Sequence, residues 1–178
     1  MDSLGVDLGY GLCKWAHAAS RGCFASVWRP DGTGTEGWGM AAPAVLSVDG
    51  VPLVIGDAAS SHTAARRPFG DGRLADPETW PLLAAALWQA GVDGEVALGS
   101  GPPLGSFAAE KDAARSTLEG RTLRLSDGAR ERAVRIARLV LRPQGVGAAL
   151  YLAARGLLPL SGGYAVVVDV GTGHARRT

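Results

Sequence analysis

The chain opens on an apolar strand that runs into an Asp-x-Gly-x-Gly turn and leaves it along a second strand. Gly9 and Gly11 accept a positive φ and leave no Cβ between the backbone amides and a ligand. Successive N–H groups in such a turn form an anion-binding nest. Asp7 suits a magnesium ion held through water, and Lys14 adds a positive charge for a phosphate. A tight hairpin without a ligand is the alternative interpretation of this segment taken alone.

A second glycine turn lies near the other end of the chain. The apolar run from Tyr164 to Val168 closes on Asp169-Val170-Gly171-Thr172-Gly173, which is again Asp-x-Gly-x-Gly. The occurrence of this turn at both ends of the chain suggests that two halves of the protein bind one phosphate chain. The pair therefore favours nucleotide binding over an unliganded hairpin.

Composition sets bounds on the partners of this chain. The 178 residues fit one domain, or one domain and a fragment of another, and their formal net charge is +1. This balance gives no electrostatic footprint for nucleic acid or a membrane surface, so we expect neither as a direct partner. No basic segment precedes the first apolar run, and Cys13 and Cys23 suggest free thiols, so we expect a cytoplasmic protein. The histidines show no ligand spacing, which argues against a zinc site.

The hydrophobic periodicity predicts an α/β fold with a mixed sheet. A hairpin turn at Asp49-Gly50 places Pro52 at an edge position. One helix begins at Asp76-Pro77-Glu78, buries the face formed by Trp80, Leu83, Ala84, Leu87 and Trp88, and stops at Gly91. The strands are predicted at 3–8, 12–18, 23–27, 44–48, 51–55, 95–98, 121–125, 132–141 and 164–170, and two further helices at 107–118 and 146–154.

Four segments, in order, match one family pattern. They are residues 5–14, 96–103, 141–148 and 166–173. The set resembles the prokaryotic actin-like proteins of the ParM/StbA plasmid-partition type, including their archaeal actin-like relatives. The opening decapeptide and the Pro-Gln-Gly-x-Gly-Ala block are its more specific parts.

The resemblance implies an actin-like ATPase fold, in which two ribonuclease-H-like domains hold ATP or GTP with Mg²⁺ between them. Such proteins hydrolyse the nucleotide and assemble into filaments that move plasmid DNA, with a DNA-bound adaptor protein as a further partner. Asp7 and Asp169 would hold Mg²⁺ through water. The first phosphate loop would consist of Asp7, Gly9, Tyr10, Gly11, Leu12 and Lys14, and the second of Asp169, Gly171, Thr172 and Gly173.

Gln144 is the residue that the resemblance assigns to catalysis together with Asp7. It would position the attacking water, since a neutral amide can both donate to water and accept from it. In the alternative interpretation, Gln144 is a polar residue at the start of a helix that caps its backbone groups. A small-molecule kinase of the same superfamily is the competing function. Such kinases usually place an Asp base near this position, and a glutamine cannot serve as that base.

The chain also departs from the family pattern. Family members are about twice as long, and a Thr is usual where His174 stands. We expect residues 1–160 to form domain I, with a small hairpin insertion at about 40–72, and residues 161–178 to open a truncated domain II. This short chain should hydrolyse nucleotide weakly and should self-associate. A non-catalytic module that caps or regulates actin-like filaments is a third interpretation.

Overall fold

One mixed sheet organises the residues that the computed structural model describes, which are 1–18, 20–32, 44–68, 70 and 72–158. Its strands hydrogen-bond in the order β3-β2-β1-β7-β9-β8-β5-β6-β4. Numbered along the chain, they are β1 (Asp2–Leu8), β2 (Leu12–His17), β3 (Ser20–Ala25), β4 (Trp28–Pro30), β5 (Val45–Val48), β6 (Val51–Ile55), β7 (Gly94–Ser100), β8 (Thr122–Ser126) and β9 (Glu131–Leu141).

The centre of the sheet is parallel and its flanks are antiparallel. β7 pairs in parallel with β1 on one side and with β9 on the other. Antiparallel ladders join β1 to β2, β2 to β3, and β9 to β8. The predicted mixed sheet is therefore confirmed. Because β1 and β9 both run alongside β7, their carboxyl ends lie at the same edge of the sheet.

Three α-helices accompany these strands in the described residues: α1 (Trp80–Gln89), α2 (Phe107–Leu118) and α3 (Val146–Ala154). A 3₁₀ turn over Pro77–Thr79 precedes α1, and the Asp76 side chain caps it by accepting from the Glu78 N–H. Gly91 ends α1 with a φ of 77°. The cap, the proline and the terminating glycine thus act as their sequence predicts.

Burial of α1 differs from the predicted single face. All seven residues from Pro81 to Leu87 are buried, whereas Trp80 and Trp88 are only half-buried. The helix has small alanines where a surface helix would carry polar residues, so it packs closely on every side. Charge and polarity instead appear on α2, where Ala114 and Leu118 are the buried residues.

The main core lies between the sheet and α1. Strand residues alternate between the two sheet faces, and the side that meets α1 carries the buried members. In β1 and β2 this set is Leu4, Val6, Leu8, Cys13 and Trp15. The Cys13 thiol is directed at α1, since it lies 4.0 Å from the Leu82 carbonyl oxygen. The adjacent residue Lys14 must therefore face the other side of the sheet.

The hairpin around Asp49 belongs to the same sheet. β5 pairs with β8, and the Asp49 side chain accepts from the Arg124 N–H at 2.9 Å. β6 is an interior strand of the sheet, because β4 pairs with it. The β4–β6 ladder ends at the pair Pro30 and Leu53, so Pro52 lies beyond it, at a position where no ladder N–H is needed, as expected. The Pro52 carbonyl accepts from the Asp31 N–H at 2.9 Å.

Candidate functional site

Asp7 and Lys14 face each other across the first hairpin. They are paired residues in the β1–β2 ladder, and the Lys14 ammonium lies 3.4 Å from Asp7 Oδ2. Both side chains remain about half exposed, Lys14 at 57% and Asp7 at 43%. An exposed ion pair of this kind contributes only about 0–1 kcal/mol. Either group can therefore exchange its partner for a ligand at small cost.

The turn that joins these strands depends on Gly9. A Cβ on Gly9 would lie 2.6 Å from the Leu12 carbonyl oxygen, so only glycine allows the two strands to approach this closely. The prediction that Gly9 and Gly11 use a positive φ is wrong, because neither residue has one. The role of Gly9 is a close backbone approach rather than a left-handed conformation. Ser26 stabilises the turn, since its hydroxyl donates a hydrogen bond to the Gly9 carbonyl at 2.6 Å.

Gln144 reaches this hairpin from the end of β9, on the other side of β7 from β1. β9 ends at Leu141, and the chain then continues alongside the segment that leaves β7. The Arg142 N–H donates to the Ser100 carbonyl at 3.1 Å, and the Gln144 N–H donates to the Pro102 carbonyl at 3.0 Å. Gln144 Nε2 then lies 3.5 Å from Asp7 Oδ1.

Glycines on both sides of this junction allow its path. Gly145 begins α3 with a φ of 88°, a value that side chains rarely accept. Gly101 is packed still more tightly, because a Cβ there would lie 1.6 Å from the Arg142 carbonyl oxygen. No specific function is predicted for Gly101 from the sequence. Its place before Pro102 and Pro103 at the end of a strand is the available signal, and Ser26 carries none.

A cleft of about 1060 Å³ opens beside the side chains of Asp7, Lys14 and Gln144. It lies on the sheet face opposite α1, because Lys14 lines it while Cys13 faces the helix. Small residues give it depth, and polar groups gather at the strand ends. Its walls include Gly5, Ala16, Gly99 and Val140 from the sheet, Ala148 from α3, and the polar side chains of Asp7, Lys14, Arg21, Ser100 and Gln144. The volume suits a ligand the size of a nucleotide.

The donor set fits a phosphate with magnesium. Mg²⁺ takes few protein ligands and keeps several waters, and Asp7 offers one half-exposed carboxylate at a strand end. Lys14 supplies the positive charge beside it. Asp169, Gly171, Thr172 and Gly173 lie outside the described residues, so the second phosphate loop and its metal ligand stay a prediction.

The two cysteines occupy opposite faces of the sheet. Cys23 is exposed, lies opposite Lys14 in the β2–β3 ladder, and lines the cleft. Cys13 is buried, and burial raises its pKa from 9.0 to about 12, with Asp7 adding to the increase and Arg73 opposing it. A thiol with this pKa stays protonated at neutral pH and is a poor nucleophile. Cys13 is therefore a core residue.

Family comparison agrees with this geometry. Residues 5–147 match the model of the N-terminal domain of actin-like proteins. The chain belongs to the actin-like protein family. The matched segment contains Asp7, the first glycine turn, Lys14 and Gln144, and the resemblance suggested by the sequence is confirmed.

Comparison with archaeal actin homologues shows how much of an actin-like protein this chain contains. An archaeal actin homologue from Thermoplasma acidophilum is 44% identical over an alignment of 179 positions, which covers 95% of this chain and 54% of the relative. The crystal structure of an archaeal actin homologue in complex with ADP superimposes with a TM-score of 0.82 at 40% identity, covering 96% of this chain and 52% of that one. The chain thus spans about half the length of these relatives.

A more distant neighbour extends the fold comparison. The structure of a 15-stranded ParM filament from Clostridium botulinum gives a TM-score of 0.70 at 19% identity, with coverage of 87% of this chain and 50% of that one. These comparisons confirm the actin-like fold class. Among the described residues, no helix has the length and apolar character needed to cross a membrane.

Proposed function

We propose that this chain is the N-terminal nucleotide-binding part of an actin-like filament ATPase. The observation that carries the proposal is the meeting of Asp7, Lys14 and Gln144 at one edge of the sheet, beside the Gly9 turn. The archaeal relative with a TM-score of 0.82 was solved with ADP, which supports a nucleotide as the ligand. ATP or GTP with Mg²⁺ would be the working form.

Each residue has a role that follows from its position. Lys14 would leave Asp7 and pair with a phosphate, since their exposed ion pair is weak. Asp7 would hold Mg²⁺ through water, and the ion would neutralise phosphate charge. Gln144, whose amide already reaches Asp7 Oδ1, would orient the attacking water.

Gln144 also separates hydrolysis from phosphoryl transfer to a substrate. A kinase needs a base for the substrate hydroxyl, and an amide cannot accept that proton. Among the described residues, Asp7 is the carboxylate next to Gln144, and we assign it to the metal. Hydrolysis is therefore the better assignment than a small-molecule kinase.

Self-association is the second part of the proposal. α3 is apolar from Val146 to Ala154 and has no buried residue, and Leu150 and Tyr151 are at least half exposed. Large exposed apolar side chains on one helix indicate a surface that packs against something else. The filament formed by the ParM neighbour supports assembly between copies of this chain as one way to cover it. Movement of plasmid DNA through an adaptor would be the cellular role.

The test combines binding with sedimentation. Mg²⁺-ATP should raise the melting temperature of the chain and increase the fraction that pellets at high speed. Lys14→Met should abolish both effects, whereas Lys111→Met should keep them. Lys111 is the chain's other lysine and lies exposed on α2, so the control removes the same charge far from the cleft.

The melting temperature and the pelleted fraction test nucleotide binding and assembly separately. No nucleotide-induced shift in the wild-type chain would overturn nucleotide binding by this half. A shift without any change in the pellet would keep the binding site and overturn assembly by the short chain. Equal losses in both lysine variants would show a general charge effect rather than a site.

A further inference from the structure

Arg73 contacts the phosphate loop from a distant part of the sequence. Its Nη1 donates to the Leu8 carbonyl oxygen at 2.5 Å, one residue from Asp7. Its guanidinium carbon also lies 4.6 Å from the centre of the Tyr10 ring, within the range of a cation–π interaction. A single side chain thus meets both the strand end and the turn of the first hairpin.

Tyr10 and Arg73 each join the loop to the segment that leads into α1, in opposite directions. Its hydroxyl donates to the Gly70 carbonyl at 3.3 Å, while Arg73 reaches back to Leu8. The backbone of Arg73 is fixed in turn by Thr79, a buried residue whose hydroxyl donates to the Arg73 carbonyl. The loop therefore cannot move without disturbing the start of α1.

The guanidinium of Arg73 is only partly satisfied. Within the described part of the chain, Nε and Nη2 are buried and have no hydrogen-bond partner. Burial also lowers the Arg73 pKa, and nearby Tyr10, Cys13 and Asp7 oppose that decrease. An arginine stays protonated in proteins, so a positive charge is held here under strong desolvation. Such an arrangement calls for a compensating role.

An anion at the phosphate loop would compensate the buried positive charge of Arg73 without contacting its Nε or Nη2. Arg73 belongs to the segment that precedes α1, and α1 covers the sheet face opposite the cleft. Its charge would act on the ligand through the loop rather than by contact. Its hydrogen bond would hold the strand end from which Asp7 projects, and its guanidinium plane would hold the Tyr10 ring.

We propose that Arg73 is a positioning residue of the phosphate loop, which fixes Leu8 and Tyr10 and favours polyphosphate over monophosphate ligands. This inference rests on the proposed nucleotide site. The preference for polyphosphate follows because the attraction of a fixed cation grows with the charge of the ligand. A residue that only stabilised the fold would affect all nucleotides by the same factor.

Three variants test this inference in the 178-residue chain. Arg73→Met removes the charge and the donors, Arg73→Lys keeps the charge, and Arg67→Met removes an exposed arginine from the same connecting segment as a control. Calorimetry with ATP, ADP and AMP should show a loss of about tenfold for ATP in Arg73→Met and a smaller loss for AMP. Arg73→Lys should recover part of the ATP preference, and Arg67→Met should bind like the wild type.

Amide hydrogen exchange gives a second readout that needs no ligand. Exchange at residues 9–11 should increase in unliganded Arg73→Met, while the β7–β9 ladder keeps its protection. Unchanged exchange at the loop, or equal losses for ATP and AMP, would overturn the role of Arg73. A wild-type chain that binds no nucleotide would overturn the proposed function instead, and the exchange result would still decide whether Arg73 positions the loop.

Discussion

Gln144 and Asp7 lie 3.5 Å apart, Nε2 to Oδ1, although 137 positions separate them in the sequence. β7 makes this contact possible by pairing in parallel with both β1 and β9, which brings the ends of those two strands to one edge. A carboxylate that would hold Mg²⁺ through water and a neutral amide that would orient a water molecule therefore lie side by side. The parallel centre of the sheet therefore creates the site, and the hairpins on either side hold it in place.

Replacing Gln144 should separate hydrolysis from binding. In Gln144→Ala, we expect Mg²⁺-ATP to bind within about twofold of the wild type, because Asp7 and Lys14 remain. Phosphate release should fall about 10²-fold, since the amide that orients the water is gone. Single-turnover release of labelled phosphate at high protein concentration measures a rate this slow.

Gln89→Ala is the matched control for this experiment. Gln89 accepts from the Trp15 indole N–H at 3.0 Å, at the end of α1 and away from the cleft. Its loss should leave the rate of phosphate release unchanged. Equal rates in the wild type and in Gln144→Ala would contradict a catalytic role for Gln144 and favour the helix-start interpretation.

Gly101→Ala should displace the junction that carries Gln144. The new methyl group would meet the Arg142 carbonyl oxygen, which a Cβ on Gly101 would approach to 1.6 Å. We expect a destabilisation of about 1–3 kcal/mol, as for overpacking. Urea unfolding measures it directly.

Gly105→Ala provides the comparison for Gly101. A Cβ on Gly105 meets nothing within 4 Å, so the free energy of unfolding should change by about 0.5 kcal/mol or less. If both variants unfold at the same urea concentration, the close approach of Gly101 to Arg142 is not rigid, and the positioning argument for this junction fails.

Local signals gave most of the elements in advance. The hairpin turn at Asp49-Gly50, the cap at Asp76 and the terminating Gly91 each depend on neighbouring residues, and the structure places each as expected. Asp7 and Lys14 were also predictable as a pair, because a tight turn brings equidistant residues of two strands together.

The long-range contacts of the fold could not be predicted from the sequence. Nothing near Pro52 indicates that β4 will pair with β6 and make it an interior strand. Gly101 needs to be a glycine because of Arg142, and Arg73 gains its position from Leu8 and Tyr10. Such requirements arise only when the chain is folded. A single sequence does not show them.

Cys23 should report whether the cleft is occupied. Its exposed thiol lines the cleft opposite Lys14, whereas Cys13 is buried on the other face. A ligand whose phosphates pair with Lys14 should block access to Cys23, so Mg²⁺-ATP should slow alkylation of Cys23 by N-ethylmaleimide severalfold. Peptide mass spectrometry assigns the label, and Cys23→Ala should take up none while folded. An unchanged rate at nucleotide concentrations that saturate the thermal shift would place the ligand outside this cleft.

Cys13 should make the stability of the chain fall at alkaline pH. Burial raises its pKa in the folded protein from 9.0 to about 12, so the folded state keeps a proton that the unfolded state releases above about pH 9. The contribution of Cys13 is therefore fully present below pH 9 and decreases as the pH rises towards 12, by up to about 1.4 kcal/mol per pH unit.

Urea unfolding in reducing buffer, compared between the wild type and Cys13→Ala, isolates this effect, because other groups that titrate in this range are common to both. The difference between the two free energies of unfolding should be constant from pH 7 to 8 and shrink above pH 9. A difference that stays constant up to pH 10.5 would mean that the Cys13 thiol ionises as readily in the folded protein as in the unfolded chain.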